Sequence, residues 1–235
     1  MNDLAIAAEH LTFYYRQGVP VLDIPSFKLA RGRHMFLHGP SGSGKTTLLG
    51  ILAGVLAPRS GQVSILGADF ASLGSHARDR WRGAHIGYIF QMFNLIPYLN
   101  VRDNVTLPCL LSPERRARLK GTSPDAAADA LLGKLGLAGR ANAPVTELSV
   151  GQQQRVAAAR ALIGAPQLVI ADEPTSSLDQ DHREAFIKVL FDAAAESGAA
   201  ILFVSHDRTL APLFDEQAAL STLNHAARPS LKGGM

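Results

Sequence analysis

The N-terminal part of the chain alternates between apolar and polar residues, which predicts an antiparallel hairpin. Within residues 4–32, apolar side chains recur at every second position from Leu11 to Tyr15 and return after Gly18. Alternation with a period of two is typical of half-buried strands, and a glycine between two such runs favours a turn. The same alternation at residues 61–67 predicts another strand.

Continuous apolar runs, in contrast, predict strands that are buried on both faces. Such runs cover residues 34–37, 86–90, 167–171 and 199–204. Helices are predicted at residues 47–53 and 181–196, and shorter helical segments rich in leucine and alanine are predicted from Met92 to Thr146. Strands that alternate with helices in this way indicate an α/β fold.

The first of the buried strands leads into a phosphate-binding loop. The loop reads Gly39-Pro40-Ser41-Gly42-Ser43-Gly44-Lys45-Thr46-Thr47 and fits the pattern G-x-x-x-x-G-K-[ST] between a strand and a helix. Its glycines let successive backbone N–H groups converge on a polyphosphate at the helix N-terminus. We expect Lys45 to pair with the β- and γ-phosphates and the Thr46 hydroxyl to bind Mg²⁺. A phosphate loop alone leaves kinases, GTPases and motor ATPases open.

Polar side chains follow the later buried strands, at the end where open α/β sheets bind ligands. Asp172 and Glu173 come directly after the strand at 167–171. Asp172 suits the outer shell of Mg²⁺, and Glu173 is suited to take a proton from water that attacks the γ-phosphate. His206 follows the strand at 199–204, where it could donate a hydrogen bond to the γ-phosphate.

Two further candidate site residues, Gln91 and Tyr15, each have two possible roles when only the sequence is considered. Gln91 ends the strand at 86–90, where its amide oxygen can reach Mg²⁺ or an attacking water, or where it is an ordinary residue at a strand end. Tyr15 can stack on an adenine, or it packs on its neighbours within the sheet.

A second helix start with anion-binding character is predicted at Ser149. Ser149 and Gln152 have the spacing of a capping box, and Gly151 lies between them. An ordinary helix cap explains this pattern. However, two phosphate-binding helix starts exceed what one nucleotide needs, so the alternative is that the second serves the nucleotide of another subunit.

Composition narrows the class of protein. The 235 residues are 47% hydrophobic and 18% charged, and predict a single domain, residues 1–235. No uncharged run approaches the roughly 20 residues of a membrane span, and the N-terminus lacks the pattern of a signal peptide, so we expect a soluble protein. Cys109 is the only cysteine, which favours a reducing compartment. The net charge of +3 is too small to indicate nucleic acid, and the basic segment 114–120 is expected to be a solvated helix face.

Taken in order, these motifs resemble those of the ATP-binding cassette (ABC) ATPases. The resemblance rests on the phosphate loop, Gln91, Leu148-Ser149-Val150-Gly151-Gln152, Asp172-Glu173, Ser176-Ser177-Leu178-Asp179 and His206. It implies a P-loop NTPase core with a mixed sheet, an N-terminal antiparallel β-subdomain and an α-helical subdomain inserted at approximately residues 92–153. It also implies ATP and Mg²⁺ as ligands, with Thr46, Gln91 and Asp172 at the metal and Tyr15 on the adenine.

The resemblance further implies a dimer in which each ATP lies between one phosphate loop and the partner's signature helix. Ser149, Gly151 and Gln152 would then act on the partner's nucleotide, and Asp179 would bridge the subunits. The chain departs from the motifs of the family at two positions. Val150 stands where many cassettes have glycine, and Ser177 stands where alanine is common.

Within the family, residues 90–98 and 104–108 are similar to those of the lipoprotein-releasing and macrolide-exporter ATPases. This implies a separate integral-membrane permease, a location on the cytoplasmic side of the inner membrane, and no nucleic-acid partner. The alternative is a signalling or scaffold ATPase that controls a membrane partner without moving a substrate. The apolar segment 93–99 is expected either to pack in the helical subdomain or to await the permease.

Overall fold

The computed structural model describes residues 3–176, 178 and 180–227. The strands are β1 (Leu4–Phe13), β2 (Leu22–Ala30), β3 (His34–His38), β4 (Ser60–Ile65), β5 (Ala68–Asp69), β6 (Ile86–Ile89), β7 (Leu168–Asp172), β8 (Ala200–Val204) and β9 (Glu216–Ala219). The helices are α1 (Lys45–Leu52), α2 (Ser75–His85), α3 (Val101–Leu111), α4 (Pro113–Ala117), α5 (Pro124–Lys134), α6 (Val150–Leu162), α7 (Gln180–Ala195) and α8 (Leu220–Leu223). Short 3₁₀ segments lie at Val145–Glu147, Arg208–Leu213 and His225–Ala227. Ser177 and Asp179 lie outside the described residues.

The strands divide between two sheets according to their direction. The order β2-β1-β4-β5 forms an antiparallel sheet, and the order β6-β7-β8-β3-β9 forms a parallel one. The α/β fold, the N-terminal hairpin and the strand of residues 61–67 are thus confirmed. The mixed sheet expected for the core is instead two sheets of one direction each. Short connections join β1 to β2 and β4 to β5, whereas the parallel strands require long crossovers.

The parallel sheet separates two hydrophobic clusters because its strands alternate their side chains between its faces. Phe36 and Phe203 face the cluster that contains the inner sides of α3, α5, α6 and α7. Leu37 and Val204, one residue further along, face the cluster that contains α1 and the antiparallel sheet. The sheet is therefore buried on both sides, as its continuous apolar runs predict.

Arg115 departs from the solvated helix face expected for the basic segment 114–120, of which residues 114, 116, 117 and 120 are exposed. The Arg115 side chain is buried, and its guanidinium group donates hydrogen bonds to four backbone carbonyl groups of α2, β6 and the end of α6. Burial lowers the pKa of Arg115 to about 10. The acceptors lie some 30 to 50 positions away in the chain, so no local pattern indicates them.

Four elements, α2, β5, β9 and α8, have no counterpart among the predicted strands and helices. Ala84 is the one buried residue that α2 contributes, so the helix lacks the apolar stripe on which sequence prediction depends. Four residues of β9 pair with β3 at the edge of the parallel sheet. Among the described residues, no helix combines the length and apolar character that crossing a membrane requires.

Candidate functional site

The register of the parallel sheet brings the candidate residues to one edge. Leu37 of β3 is opposite Val204 of β8, and Val204 is opposite Asp172 of β7. β6 continues this alignment on the other side of β7. The residues that follow these strand ends are therefore neighbours: the phosphate loop after β3, His206 after β8, Glu173 after β7 and Gln91 after β6.

The phosphate loop has a backbone that only glycine fits. Gly44 precedes α1 with a φ of +98°, and a Cβ atom there would lie 2.7 Å from Leu22 Cδ2. No side chain caps the start of α1, so its first N–H groups are available to a ligand. Ser43 Oγ is buried and, within the described part of the chain, has no hydrogen-bond partner. A loop with a bare helix start and an orphaned hydroxyl group fits an anion.

Lys45 and Tyr15 lie against this loop from two sides. Lys45 Nζ donates to the carbonyl oxygens of Gly39 (2.7 Å) and Pro40 (3.1 Å), so the ammonium group covers the loop. The Tyr15 hydroxyl lies 3.2 Å from Thr47 Oγ1, and its ring meets Phe13 edge-on. Because the Tyr15 side chain is still 62% exposed, packing in the sheet leaves a free aromatic surface beside the loop.

Glu173 and His206 are in direct contact. Glu173 has a left-handed backbone (φ +47°), and its N–H donates to the carbonyl of Val204. Its buried carboxylate lies 2.8 Å from His206 Nδ1, while the histidine ring is largely exposed. An uncommon backbone conformation held by neighbouring bonds is a frequent feature of active sites. This contact was not predicted, since His206 was expected to reach the γ-phosphate.

Asp172 has an unfavourable environment for a carboxylate. Burial raises its pKa above the usual range, the adjacent Glu173 carboxylate adds to this increase, and Lys45 opposes it. A desolvated carboxylate beside another one attracts a cation. Gln91, at the end of β6, is exposed. Thr46 and Asp172 line the same cavity.

The start of α6 has the predicted capping box. Ser149 Oγ accepts from the N–H of Gln152, and Gln152 Oε1 accepts from the N–H of Ser149. A Cβ atom on Gly151 would lie 3.7 Å from Leu178 Cδ2, which is ordinary van der Waals distance. Among the described residues, no hydrogen bond joins 149–152 to the phosphate loop of the same chain.

An apolar groove of about 740 Å³ extends from the nucleotide edge to the C-terminal end of α3. Thr46 and Asp172 from the nucleotide edge and Leu111 from the C-terminal end of α3 all line it. Its lining comes from α1, α2, β6, α3, α4, α6, β7 and the loops beside them, and its apolar side chains include Val55, Leu56, Tyr88, Phe90 and Leu107. A mainly apolar groove of this volume is typical of ligand and partner sites.

The family model described as ABC transporter matches residues 22–176. The chain belongs to the ABC transporter family. It is an ATP-hydrolysing subunit of such a transporter, and the resemblance inferred from its motifs is confirmed.

Two relatives of this ABC subunit are informative. Over 233 residues, 98% of this chain and 99% of the relative, it is 38% identical to the lipoprotein-releasing system ATP-binding protein LolD of Hydrogenovibrio crunogenus. Over 185 residues, 79% of each protein, it is 43% identical to the uncharacterised ABC transporter ATP-binding protein YbbA of Escherichia coli K12.

Solved ABC cassettes have the same fold. The dimeric bacterial cassette MJ0796 is 32% identical to this chain, with a TM-score of 0.79 over 92% of this chain and 94% of the cassette. A dimeric post-hydrolysis state of MJ0796 bound to ADP and Pi is 31% identical, with a TM-score of 0.81 over 97% of this chain and all of the cassette. The α/β P-loop architecture of the ABC ATPases is thereby confirmed.

Sequence reasoning missed two features that border the site of this ABC subunit. The first is the groove, whose lining residues come from seven separate helices and strands and from the loops beside them. The second is Asn224, a buried residue near the C-terminus whose side chain donates to the carbonyl of Ser43 in the phosphate loop. Neither has a contiguous pattern in the sequence from which it could be predicted.

Proposed function

We propose that this ABC ATPase works as a homodimer on the cytoplasmic side of the inner membrane and drives a separate permease of the lipoprotein-release or macrolide-export type. The similarity to LolD over nearly the whole chain supports the type. The dimeric cassettes support the assembly.

The phosphate loop, residues 39–47, is proposed to hold the polyphosphate of ATP. Its bare helix start, the orphaned Ser43 hydroxyl and the Lys45 ammonium group supply donors and positive charge for the anion. The exposed ring of Tyr15 is suited to stack on the adenine, because the ring lies beside Thr47 at the end of this loop.

Mg²⁺ fits the donors at this edge. The Thr46 hydroxyl, the Asp172 carboxylate and the Gln91 amide are hard oxygen ligands of the kind that Mg²⁺ prefers. In the described part of the chain, no group of three His, Cys, Asp or Glu residues could hold a metal by itself. We therefore propose that Mg²⁺ enters with the nucleotide, where it would neutralise phosphate charge.

Glu173 is proposed as the general base for the attacking water. The hydrogen bond from His206 orients the carboxylate, and its left-handed backbone directs it to the strand-end edge. When ATP binds, His206 is exposed enough to turn to the γ-phosphate, as the sequence predicts.

Ser149, Gly151 and Gln152 are proposed to act on the nucleotide of the partner subunit, with Asp179 between the subunits. The support is their position: the start of α6 is exposed and forms its hydrogen bonds within its own capping box. A second nucleotide face that its own chain does not use suits a head-to-tail dimer.

The groove is the observation that carries the proposed permease contact. Its lining includes Asp172 and Thr46 as well as the exposed Leu111, so a segment seated in it would contact the nucleotide edge. A helix with an apolar face fits a groove of this kind. The two ends of the nearby segment 93–99 differ in burial. Phe93 is buried in the core, whereas Tyr98 is 85% exposed and accessible to a partner.

Two adjacent residues of α3 provide a matched test. Leu111 (77% exposed) lines the groove, whereas Leu110 (63% exposed) does not. Tagged protein is purified from solubilised membranes of its own host together with any integral-membrane partner, and the pair is reconstituted in vesicles. Leu111→Asp should lose the partner and the coupled transport but keep basal ATPase activity, while Leu110→Asp keeps all three.

Two outcomes would contradict the proposal. If both variants retain the partner equally, the groove is not its docking site. If the reconstituted pair couples to ATP hydrolysis without releasing lipoproteins or exporting a macrolide, a signalling or scaffold role is favoured. Tyr98→Asp extends the test to the segment after Gln91: its exposure predicts an unchanged melting temperature with loss of permease coupling.

A further inference from the structure

Asn224 connects the C-terminal segment to the back of the phosphate loop. The residue lies between α8 and the last 3₁₀ segment and is completely buried. Its Nδ2 donates to the carbonyls of Val21 (2.8 Å) and Ser43 (3.0 Å). Its Oδ1 accepts from the backbone N–H groups of Asp23 (2.8 Å) and Ala226 (3.2 Å). One side chain thus joins the hairpin, the phosphate loop and the C-terminal segment.

The bond to Ser43 determines how the next N–H group points. The carbonyl of Ser43 and the N–H of Gly44 belong to one planar trans peptide, in which the two groups point in opposite directions. Because the carbonyl points back to Asn224, the Gly44 N–H points away from Asn224, into the loop. This N–H group is one of those available at the bare start of α1.

The residues packed behind this peptide leave little space around Gly44. A Cβ atom on Gly44 would lie 2.7 Å from Leu22 Cδ2, 3.2 Å from the Val21 carbonyl oxygen and 3.5 Å from Asn224 Nδ2. Glycine, with its wide choice of φ, could otherwise let the peptide turn over. The hydrogen bond from Asn224 opposes that rotation, since the rotation would leave the Ser43 carbonyl and one of the two N–H groups of Asn224 Nδ2 without their partner.

We propose that Asn224 is a positioning residue for the nucleotide: it holds the Ser43–Gly44 peptide so that the Gly44 N–H faces the polyphosphate. Asn224 does not touch the ligand itself. The inference rests on the proposed binding of the polyphosphate by residues 39–47. A purely structural role, in which Asn224 only fastens the C-terminal segment, predicts a loss of stability with unchanged nucleotide affinity.

The test compares Asn224→Ala with Asn104→Ala. Asn104 is an equally buried asparagine that also donates to backbone carbonyls, here of residues 96, 99 and 100, and accepts from the N–H of Ile96. Calorimetric titration with ADP, well below the melting temperature, should give a Kd about threefold to tenfold weaker for Asn224→Ala, as expected for one pre-oriented hydrogen bond. Asn104→Ala should lose stability and keep the parent Kd.

The outcomes separate this inference from the proposed site. If Lys45→Ala weakens ADP binding and folded Asn224→Ala binds within twofold of the parent, only the positioning role is overturned. If Lys45→Ala leaves ADP affinity unchanged, the phosphate site and the inference both fail.

A second variant and a measurement on the parent protein keep the test decisive if Asn224→Ala does not fold. Asn224→Ser is smaller and leaves room for water to reach the freed groups. In the parent, the side-chain NH₂ resonances of Asn224 should shift on addition of Mg²⁺ and ADP, because the bonded peptide transmits the change. Resonances that stay in place would overturn the proposal.

Discussion

The two helix starts with anion-binding character, at α1 and at α6, are built in opposite ways. The start of α1 follows Gly44, has no side-chain cap and is enclosed by the hairpin and by Asn224. The start of α6 is exposed and satisfies its own backbone through Ser149 and Gln152. The first is incomplete without a ligand, whereas the second is complete by itself. This difference suits a nucleotide that binds first to one loop and is then covered by the helix of a second subunit.

The two regions also differ in how many energetically unfavourable groups they contain. Around the phosphate loop, Ser43 Oγ is unpaired among the described residues, Asp172 is a desolvated carboxylate, and Glu173 has a left-handed backbone. Residues 149–152 at the start of α6 carry none of these features, and the nearest unpaired buried side chain in the described part of that helix is the amide of Gln154. Binding sites are commonly less stable than their scaffolds, so substitutions at the two starts should differ in kind.

The largest effect is expected for Glu173→Gln, which keeps the shape of the side chain and loses its basicity. Loss of a general base typically lowers the rate by roughly 10² to 10⁴. The variant should still bind ATP and accumulate as an ATP-dependent dimer in size-exclusion chromatography. Because ATP is not hydrolysed, the α1 start of one subunit and the α6 start of the other remain bound to the same nucleotide. Glu196→Gln, at the exposed end of α7, should behave like the parent. Wild-type turnover in Glu173→Gln would remove Glu173 from its role.

Alanine at the two glycines tests the comparison through stability. Gly44→Ala should lower the free energy of unfolding for two reasons. An alanine in a left-handed backbone costs about 1–2 kcal/mol, and overpacking against Leu22 costs about 1–3 kcal/mol. Each kcal/mol lowers the melting temperature by roughly 2–4 °C in a chain of this size. Gly151→Ala has ordinary contact distances and should change the melting temperature little.

Gly42→Ala separates the two contributions at the phosphate loop. Its φ is +77°, but a Cβ atom there meets nothing within 4 Å, so only the backbone strain remains. A melting temperature for Gly44→Ala equal to that for Gly42→Ala would contradict the close packing behind the loop.

The sequence predicts contiguous features of the site and misses those assembled from distant segments. The phosphate loop and the capping box of Ser149 and Gln152 are visible because all their atoms come from a few consecutive residues. The carboxylates at 172 and 173 are visible because a buried strand precedes them. Arg115 and Asn224 have no such signal, since their partners lie tens to about 200 positions away.

Gly151→Asp tests whether the α6 start faces a nucleotide in the other subunit. The aspartate should oppose the γ-phosphate and lower ATPase activity by about tenfold to a hundredfold, while ATP affinity of the monomer stays the same. Gly133→Asp, on an exposed helix position with open space around it, is the matched control and should be neutral.

Mixing two inactive variants tests whether each ATP site is formed by residues of both subunits. A dimer of Gly151→Asp with Lys45→Ala retains one composite site with both residues intact, so some activity should return on mixing. Absence of recovery at every mixing ratio would contradict a site shared between subunits.

The smallest effect, expected for Ser149→Ala, separates the structural role of the α6 cap from its proposed role in the dimer. Ser123 caps α5 with the same geometry, 3.2 Å from the N–H of Ala126 against 3.3 Å from the N–H of Gln152 for Ser149. Each serine-to-alanine change should lower the free energy of unfolding by about 0.5–2 kcal/mol. Only Ser149→Ala should also lower ATPase activity, by about threefold to tenfold, since a hydrogen bond to the partner's nucleotide is lost as well. If both variants lose equal stability and keep full activity, the start of α6 is only a capped helix, and the contrast with α1 has no counterpart in catalysis.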